Sequence, residues 1–306
     1  MKISLQVSVA VSYCLAVLFI HIKMSPQDTI FYEKIEGIFK SDSEPLIMGI
    51  LNVTNDSFYD GGRYTTEEQW LNQTRLMVNE GADMIDIGAC STRPGAKEVT
   101  ETEETERLIT AIRSVRKAFP EILISADTYR AAVAEKAVEA GANIINDISG
   151  GTMDAQMFSV VAKLQVPYVL MHIQGTPQTM QKDPSYLNVT EEVFSFFDTQ
   201  LKVLNKLGFS KVILDPGFGF GKTVEHNYQL LKNTERFHTL GAPILVGLSR
   251  KSMINKLLNI SNKESINGTT ILNTIALEKG AKILRVHDVK EAKEAVKIVR
   301  YLKGLK

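Results

Sequence analysis

The sequence predicts an α/β protein of the (β/α)8 TIM-barrel class over residues 45–306, with residues 1–44 as an N-terminal extension. Three observations predict it. Short apolar runs recur eight times from residue 46 onward. Each is followed by a stretch with apolar residues at helical spacing, so strands and helices alternate. The runs are apolar at nearly every position, as strands are when both of their faces are covered. An open doubly wound sheet would alternate in the same way, and the count of eight favours the barrel.

The elements follow in order. LIMGIL (46–51) is the first strand and TEEQWLNQTRLMVNEGA (66–82) its helix. DMIDIG (83–88) leads to TEETERLITAIRSVRKAF (102–119), and ILISAD (122–127) to RAAVAEKAVEAGA (130–142). NIINDI (143–148) is paired with AQMFSVVAKLQ (155–165), and PYVLMH (167–172) with TEEVFSFFDTQLKVLNKLG (190–208). KVILDP (211–216) precedes VEHNYQLLKN (224–233). PILVGL (243–248) precedes two helices, KSMINKLLN (251–259) and INGTTILNTIALEKGA (266–281). KILRVH (282–287) and VKEAKEAVKIVRYLKGL (289–305) complete the series. Several of the helical stretches end in Gly-Ala or Leu-Gly, a common stop.

The chain has 306 residues and a net charge of zero, with 35 basic and 35 acidic side chains. No global basic field draws it to nucleic acid or to an anionic membrane. Cys14 and Cys90 cannot build a disulfide framework, which fits a reducing cytoplasm. LQVSVAVSYCLAVLFI (5–20) stands apart from this pattern. It is short for a membrane span and has no clear cleavage site. An upstream extension before a start at Met24, a membrane or signal segment, and a packed element are its three readings.

A barrel gathers its chemistry at the C-terminal ends of the strands. NVTNDSFYDGGRY (52–64) follows strand one and ACSTRPGA (89–96) follows strand two. Asp127, the pair Asn146-Asp147, Asp215, the run Ser249-Arg250-Lys251-Ser252, and then Arg285 and His287 occupy the same rim. Each alone has an ordinary structural explanation: a lone Asp before a helix, Asp127 included, is often an N-cap. Together they favour a site. Asp127, Asp215 and Asn146 near Lys251 suit a ligand with adjacent N–H donors, such as a 2-amino-4-oxo-pyrimidine ring. Lys251 could donate to the ring carbonyl. Thr92, Arg93, Arg285 and His287 suit phosphate or diphosphate. Asn52 offers a neutral oxygen for Mg2+, a cofactor that leans on substrate phosphates.

LDPGFGFGKT (214–223) resembles a phosphate loop and is not one. A P-loop ending in Gly221-Lys222-Thr223 needs glycine at 216, where this chain has proline. Asp215 instead reads as an anchor for the heterocycle, with the glycines turning the chain beside a flat ring.

ILNVTNDSFYDGG, DIGACSTRPGA, SADTYRAAVAEKAVEAGANIINDISGG, LMHIQGTPQTM, LDPGFGFGKTVEHN, VGLSRKSMI and ILRVHDV resemble, in order, the motifs of dihydropteroate synthases. The resemblance covers roughly residues 45–303. It implies condensation of 7,8-dihydropterin-6-ylmethyl diphosphate with 4-aminobenzoate in folate synthesis, by an SN1-like route, in a cytoplasmic homodimer that sulfonamides inhibit. By motif, Asp127, Asn146, Asp215 and Lys251 would hold the pterin, with Met171 and Phe220 lining its pocket. Arg285, His287, Thr92 and Arg93 would meet the diphosphate, with Asn52 on Mg2+. Ser252 would face the aminobenzoate carboxylate, and Phe58 and Pro94 would close over its ring. Asp127, Asp215, Lys251, Arg285 and His287 would carry the catalysis.

Two positions depart from the family pattern: Asn55 stands where proline is usual, and Cys90 where many members have glutamate. Neither removes a group named in the mechanism. The nearest rival is a folate-binding barrel that passes a methyl group to a corrinoid. It would need neither the STRPG loop nor the Arg-x-His end. A non-catalytic pterin-binding subunit is the other, and it would lose groups of the first two loops.

Overall fold

The computed structural model describes residues 26–40, 42–53, 67–90 and 99–305. All eight expected runs are strands: β1 (Leu46–Asn52), β2 (Met84–Gly88), β3 (Leu123–Asp127), β4 (Ile144–Asp147), β5 (Tyr168–Met171), β6 (Val212–Asp215), β7 (Leu245–Val246) and β8 (Ile283–Val286). They pair in parallel in the order β6-β5-β4-β3-β2-β1-β8-β7. A bridge between Leu214 and Ile244 joins the two ends and closes the barrel. In it the Leu214 N–H donates to the Pro243 carbonyl at 2.9 Å. β7 is the one expected strand that is much reduced, from 243–248 to two residues. Pro243 has no N–H for a ladder, so this stretch pairs mainly through its carbonyls. The Ile244 oxygen accepts from both Lys282 and Ile283.

The helices are α1 (Pro26–Phe39), α2 (Glu67–Glu80), α3 (Glu101–Ala118), α4 (Ala131–Glu139), α5 (Met157–Leu164), α6 (Val189–Lys206), α7 (Val224–Lys232), α8 (Ser252–Leu258), α9 (Ile266–Glu278) and α10 (Val289–Gly304). α3 shows how local sequence sets them. Thr100 and Glu103 form a reciprocal capping box, three acids sit in the first turn, and Arg116 and Lys117 sit in the last. Leu108, Ala111, Ile112 and Val115 repeat at helical spacing and are buried against the sheet. α7 begins in the same way, on Thr223 and His226.

Inside the barrel one apolar residue from each strand forms a floor: Met48, Met84, Leu123, Ile144, Val169, Ile213, Leu245 and Ile283. α1 lies outside the expected βα series and covers this floor. Its residues Phe31, Ile35, Ile38 and Phe39 pack on the cluster. Lys282, at the foot of β8, donates to the carbonyls of Lys40 at 2.9 Å and Ser43 at 2.5 Å, tying the segment after α1 to the barrel. Among the described residues no helix is long and apolar enough to cross a membrane. The apolar run 5–20 lies outside the described residues.

Candidate active site

Side chains of a strand face the same side at every second position. Two residues up from the floor, the strands therefore present Ile50, Asp86, Ser125, Asn146, Met171, Asp215, Gly247 and Arg285 to the interior. An apolar floor thus gives way, in one step along each strand, to a largely polar layer. Two residues further up, Asn52, Gly88 and Asp127 are in register across β1 to β3, and the stagger of β4 pairs Asp127 with Asn146 of the polar layer. Gly88 lies directly beside Asp127: a Cβ there would meet the Asp127 side chain at 3.4 Å, an ordinary contact.

Asp86 and Arg285 organise this layer. The Arg285 guanidinium pairs with Asp86 at 2.6 Å through Nη2 and 2.7 Å through Nε, and with Asp127 at 2.8 Å. Among the described residues its Nη1 has no acceptor and remains for a ligand. Asp86, fully buried, also accepts from Ser125 Oγ at 2.6 Å and Asn146 Nδ2 at 3.1 Å. A carboxylate only accepts, so it commits the Asn146 amide nitrogen and leaves the amide oxygen to receive a ligand N–H. Asp127 is not a helix cap. Arg130 precedes α4, and the Ala131 N–H goes to Asp154 at 2.7 Å.

Burial with crowding sets the electrostatics. Burial, then the neighbouring Asp86, pushes the Asp127 carboxyl up to about 7, against the pull of Arg285. Burial also raises Asp215. Burial works against the Arg285 cation, but Asp86 and Asp127 outweigh it and hold the proton more tightly than usual. Burial and Arg285 pull Lys251 down to about 8 and, with Arg250, pull His287 down to about 4. His287 is thus a neutral donor near pH 7 until an anion arrives.

The turn after β6 completes the wall. Asp215 accepts from its own Gly217 N–H at 2.8 Å, which fixes one carboxylate oxygen. Gly217, Gly219 and Gly221 all have left-handed φ, of 69°, 82° and 63°. A Cβ at Gly217 would lie 1.9 Å from the His172 carbonyl. Phe220 is half-buried, with the Lys251 ammonium 4.3 Å from its ring centre. Lys251 immediately precedes α8, whose first residue, Ser252, is exposed. The β7 and β8 loops are bound together by Arg250 with Asp288 at 2.6 Å, and by Ser249 Oγ with the His287 N–H at 3.2 Å.

The structure therefore brings Asn52, Asp127, Asn146, Met171, Asp215, Phe220, Lys251, Ser252, Arg285 and His287 to one rim. Phe58, Thr92, Arg93 and Pro94 lie outside the described residues, as does Asn55. Cys90 is half-buried, and burial and Glu104 push its thiol up to about 12. Glu104 instead serves as the charged partner there, paired with Arg130 and bonded by Thr128 Oγ1 at 2.5 Å. Sequence reasoning missed Asp86, which looks like one more residue of the run DMIDIG. The signal was available: aligned on their floor residues, DMIDIG and NIINDI place Asp86 and Asn146 at equivalent interior positions.

Comparison with known proteins gives this arrangement a context. Residues 48–287 match the family described as Pterin binding enzyme. The dihydropteroate synthase of Escherichia coli strain K12 is 44% identical over 259 residues, covering 84% of this chain and 91% of that protein. The chain belongs to the dihydropteroate synthase family. It is accordingly a transferase of folate biosynthesis, and the corrinoid methyltransferase alternative is not supported. The Yersinia pestis dihydropteroate synthase, solved in a sulfonamide drug complex, matches with a TM-score of 0.82 at 42% identity, over 86% of this chain and 95% of that one. The Xanthomonas albilineans dihydropteroate synthase in complex with 7,8-dihydropteroate matches with a TM-score of 0.78 at 35% identity, over 87% and 96% of the two chains.

Proposed function

We propose that this chain joins 7,8-dihydropterin-6-ylmethyl diphosphate to 4-aminobenzoate by losing diphosphate before the amine attacks. The observation that carries the reading is the Arg285–Asp127 pair at 2.8 Å. It sets the guanidinium suited to a diphosphate beside a carboxylate suited to a pterin, so that the two halves of the substrate would meet at this pair. Asp127, Asp215 and the Asn146 oxygen accept the pterin N–H groups, Lys251 donates to the ring carbonyl, and Met171 and Phe220 line the ring. Arg285 through Nη1, His287, Thr92 and Arg93 take the leaving diphosphate. As positive charge spreads into the pterin, the fixed carboxylates stabilise it. The weakly basic aromatic amine then attacks without a protein nucleophile. Ser252 faces its carboxylate, and Phe58 and Pro94 cover its ring.

Mg2+ fits this scheme as a companion of the substrate. Among the described residues no cluster of three or more acids, histidines or cysteines is placed to hold a metal, while Asn52 ends β1 at the rim with a neutral side-chain oxygen. That donor set suits an ion held chiefly by diphosphate oxygens. When bound, the ion would neutralise charge on the leaving group.

A second copy of the chain is the partner we infer. Leu257, Leu258, Ile271, Ile275, Ile298 and Leu302 are exposed on α8, α9 and α10. Leu258 lies beside Gly268 of α9, which packs on α10. Sedimentation at micromolar concentration is expected to give a dimer. With Cys90 a free thiol, we assign the reaction to the cytoplasm.

The test is pyrophosphate release with and without 4-aminobenzoate. Steady release with the amine, together with dihydropteroate and competition by a sulfonamide, is expected. An enzyme that binds the pterin diphosphate and yields no dihydropteroate would overturn the proposal.

A further inference from the structure

We propose that Lys222 is a positioning residue for pterin recognition: from outside the pocket, its ammonium gathers the backbone of the β6 turn so that Asp215 and Phe220 face the ligand. The inference rests on the pterin-binding role proposed above.

The turn Gly217-Phe218-Gly219-Phe220-Gly221 carries three glycines in left-handed geometry and so has little intrinsic stiffness. Something else must hold it. Lys222 Nζ donates to the carbonyls of Phe220 at 2.9 Å, Gly217 at 3.0 Å and His172 at 3.3 Å, and lies 3.0 Å from His172 Nδ1. Three carbonyl dipoles thus converge on one buried cation. His172 follows β5, so the same ammonium joins the ends of two strands. An aliphatic side chain in this place would avoid desolvating a charge, but would leave the three oxygens facing one another.

Among the described residues no carboxylate hydrogen-bonds this ammonium. Asp215 acts on it through space, and burial pulls the lysine down to about 7 despite that attraction. Burial and Lys222 also hold His172 neutral. The three N–H groups of the ammonium are shared among the three carbonyls and Nδ1 of the neutral His172, whose proton is then on Nε2.

The consequences reach the pocket through two bonds. Gly217, whose carbonyl Lys222 holds, donates its N–H to Asp215. Phe220, whose carbonyl Lys222 also holds, presents its ring to Lys251. Releasing Nζ would let Asp215, Phe220 and Lys251 drift together. Outer clamps on the same turn come from Gln181 Nε2 to the Gly219 oxygen at 2.9 Å and from Tyr186 Oη to the Gly221 oxygen at 2.8 Å. Asn227 Oδ1 receives the Gly219 N–H at 2.7 Å.

The experiment compares Lys222→Met and the double variant Gln181→Ala/Tyr186→Phe with the parent, in the full chain. Lys222→Met is expected to raise KM for pterin diphosphate at least tenfold while KM for 4-aminobenzoate moves less than twofold. A fall in kcat with both KM values unchanged would mean fewer folded molecules and would overturn the proposal. The double variant removes only outer clamps, so its pterin KM is expected to stay within twofold of the parent. A tenfold rise there would show that the outer clamps shape the turn, and would overturn the proposal even if Lys222→Met does not fold. Calorimetric titration with pterin diphosphate runs beside turnover. A parent that binds but does not turn over would fail the proposed reaction while leaving the Lys222 comparison intact.

Discussion

Asp86 offers the sharpest test of how this site is built, because it is placed to act through its partners. The perturbations are Asp86→Ala and Asp86→Asn. Alanine takes the anion away from a half-buried guanidinium 2.6 Å distant and removes acceptors from Ser125 and Asn146. Removing one partner of a buried ion pair costs about 3–5 kcal/mol. Arg285 keeps Asp127 at 2.8 Å, and Asp127 is relieved of a like charge, so the lower end, about 3 kcal/mol, is expected. Asparagine keeps the shape and one acceptor, and Ser125 can turn its hydroxyl to accept from the new amide. The loss is then chiefly the charge on the bonds to Arg285, about 1–2 kcal/mol. Urea unfolding followed by the single tryptophan, Trp70 in α2, measures both. Pterin KM is read alongside. It should rise in Asp86→Asn, because the Asn146 amide is no longer committed by a partner that only accepts. Arg285→Met combined with Asp86→Asn should cost less than the sum of the single changes, since each removes a charge the other variant strands. An alanine variant within 0.5 kcal/mol of the parent, or an asparagine variant with unchanged pterin KM, would refute this account.

Two further outcomes follow from the geometry. With Asp127 at about 7, its carboxylate fraction grows from about one tenth at pH 6 to about nine tenths at pH 8. Lys222 at about 7 and Lys251 at about 8 lose charge over the same interval, so the Asp127 contribution is read against Asp127→Asn, which cannot titrate: the ratio of parent to variant pterin affinity should grow from pH 6 to pH 8, and a constant ratio would count against Asp127 as an acceptor. Gly217→Ala places a Cβ 1.9 Å from the His172 carbonyl at a φ of 69°. The backbone penalty alone is about 1–2 kcal/mol and the clash adds to it, so urea unfolding should show a loss above 2 kcal/mol, and a smaller loss would mean the turn relaxes freely.

The barrel was legible because its strands are covered on both faces, which turns each into an unbroken apolar run. The same property hid part of the site. In DMIDIG, Asp86 sits within Met84–Gly88, all buried, and nothing in its neighbours distinguishes a paired carboxylate from a surface one. Asp127 and Asp215 were visible because they end their strands, where a polar residue interrupts the pattern. α1 was missed for a different reason. Its apolar stripe of Phe31, Ile35, Ile38 and Phe39 is convincing only against a floor that it can cover, and that floor is assembled from all eight strands.

Floor and site are two levels of one construction, and this limits how the site can vary. A closed barrel fixes which residue of each strand points inward, so the step from floor to polar layer is two residues on every strand. A carboxylate on β2, an amide on β4, a carboxylate on β6 and a guanidinium on β8 then meet with no loop required to bring them together. Charges held this way cost little to reorganise during reaction, which is the condition under which fixed carboxylates stabilise a developing cation. The groups suited to the aminobenzoate are different in kind, since Ser252 opens α8 and Phe58 and Pro94 belong to the loops after β1 and β2.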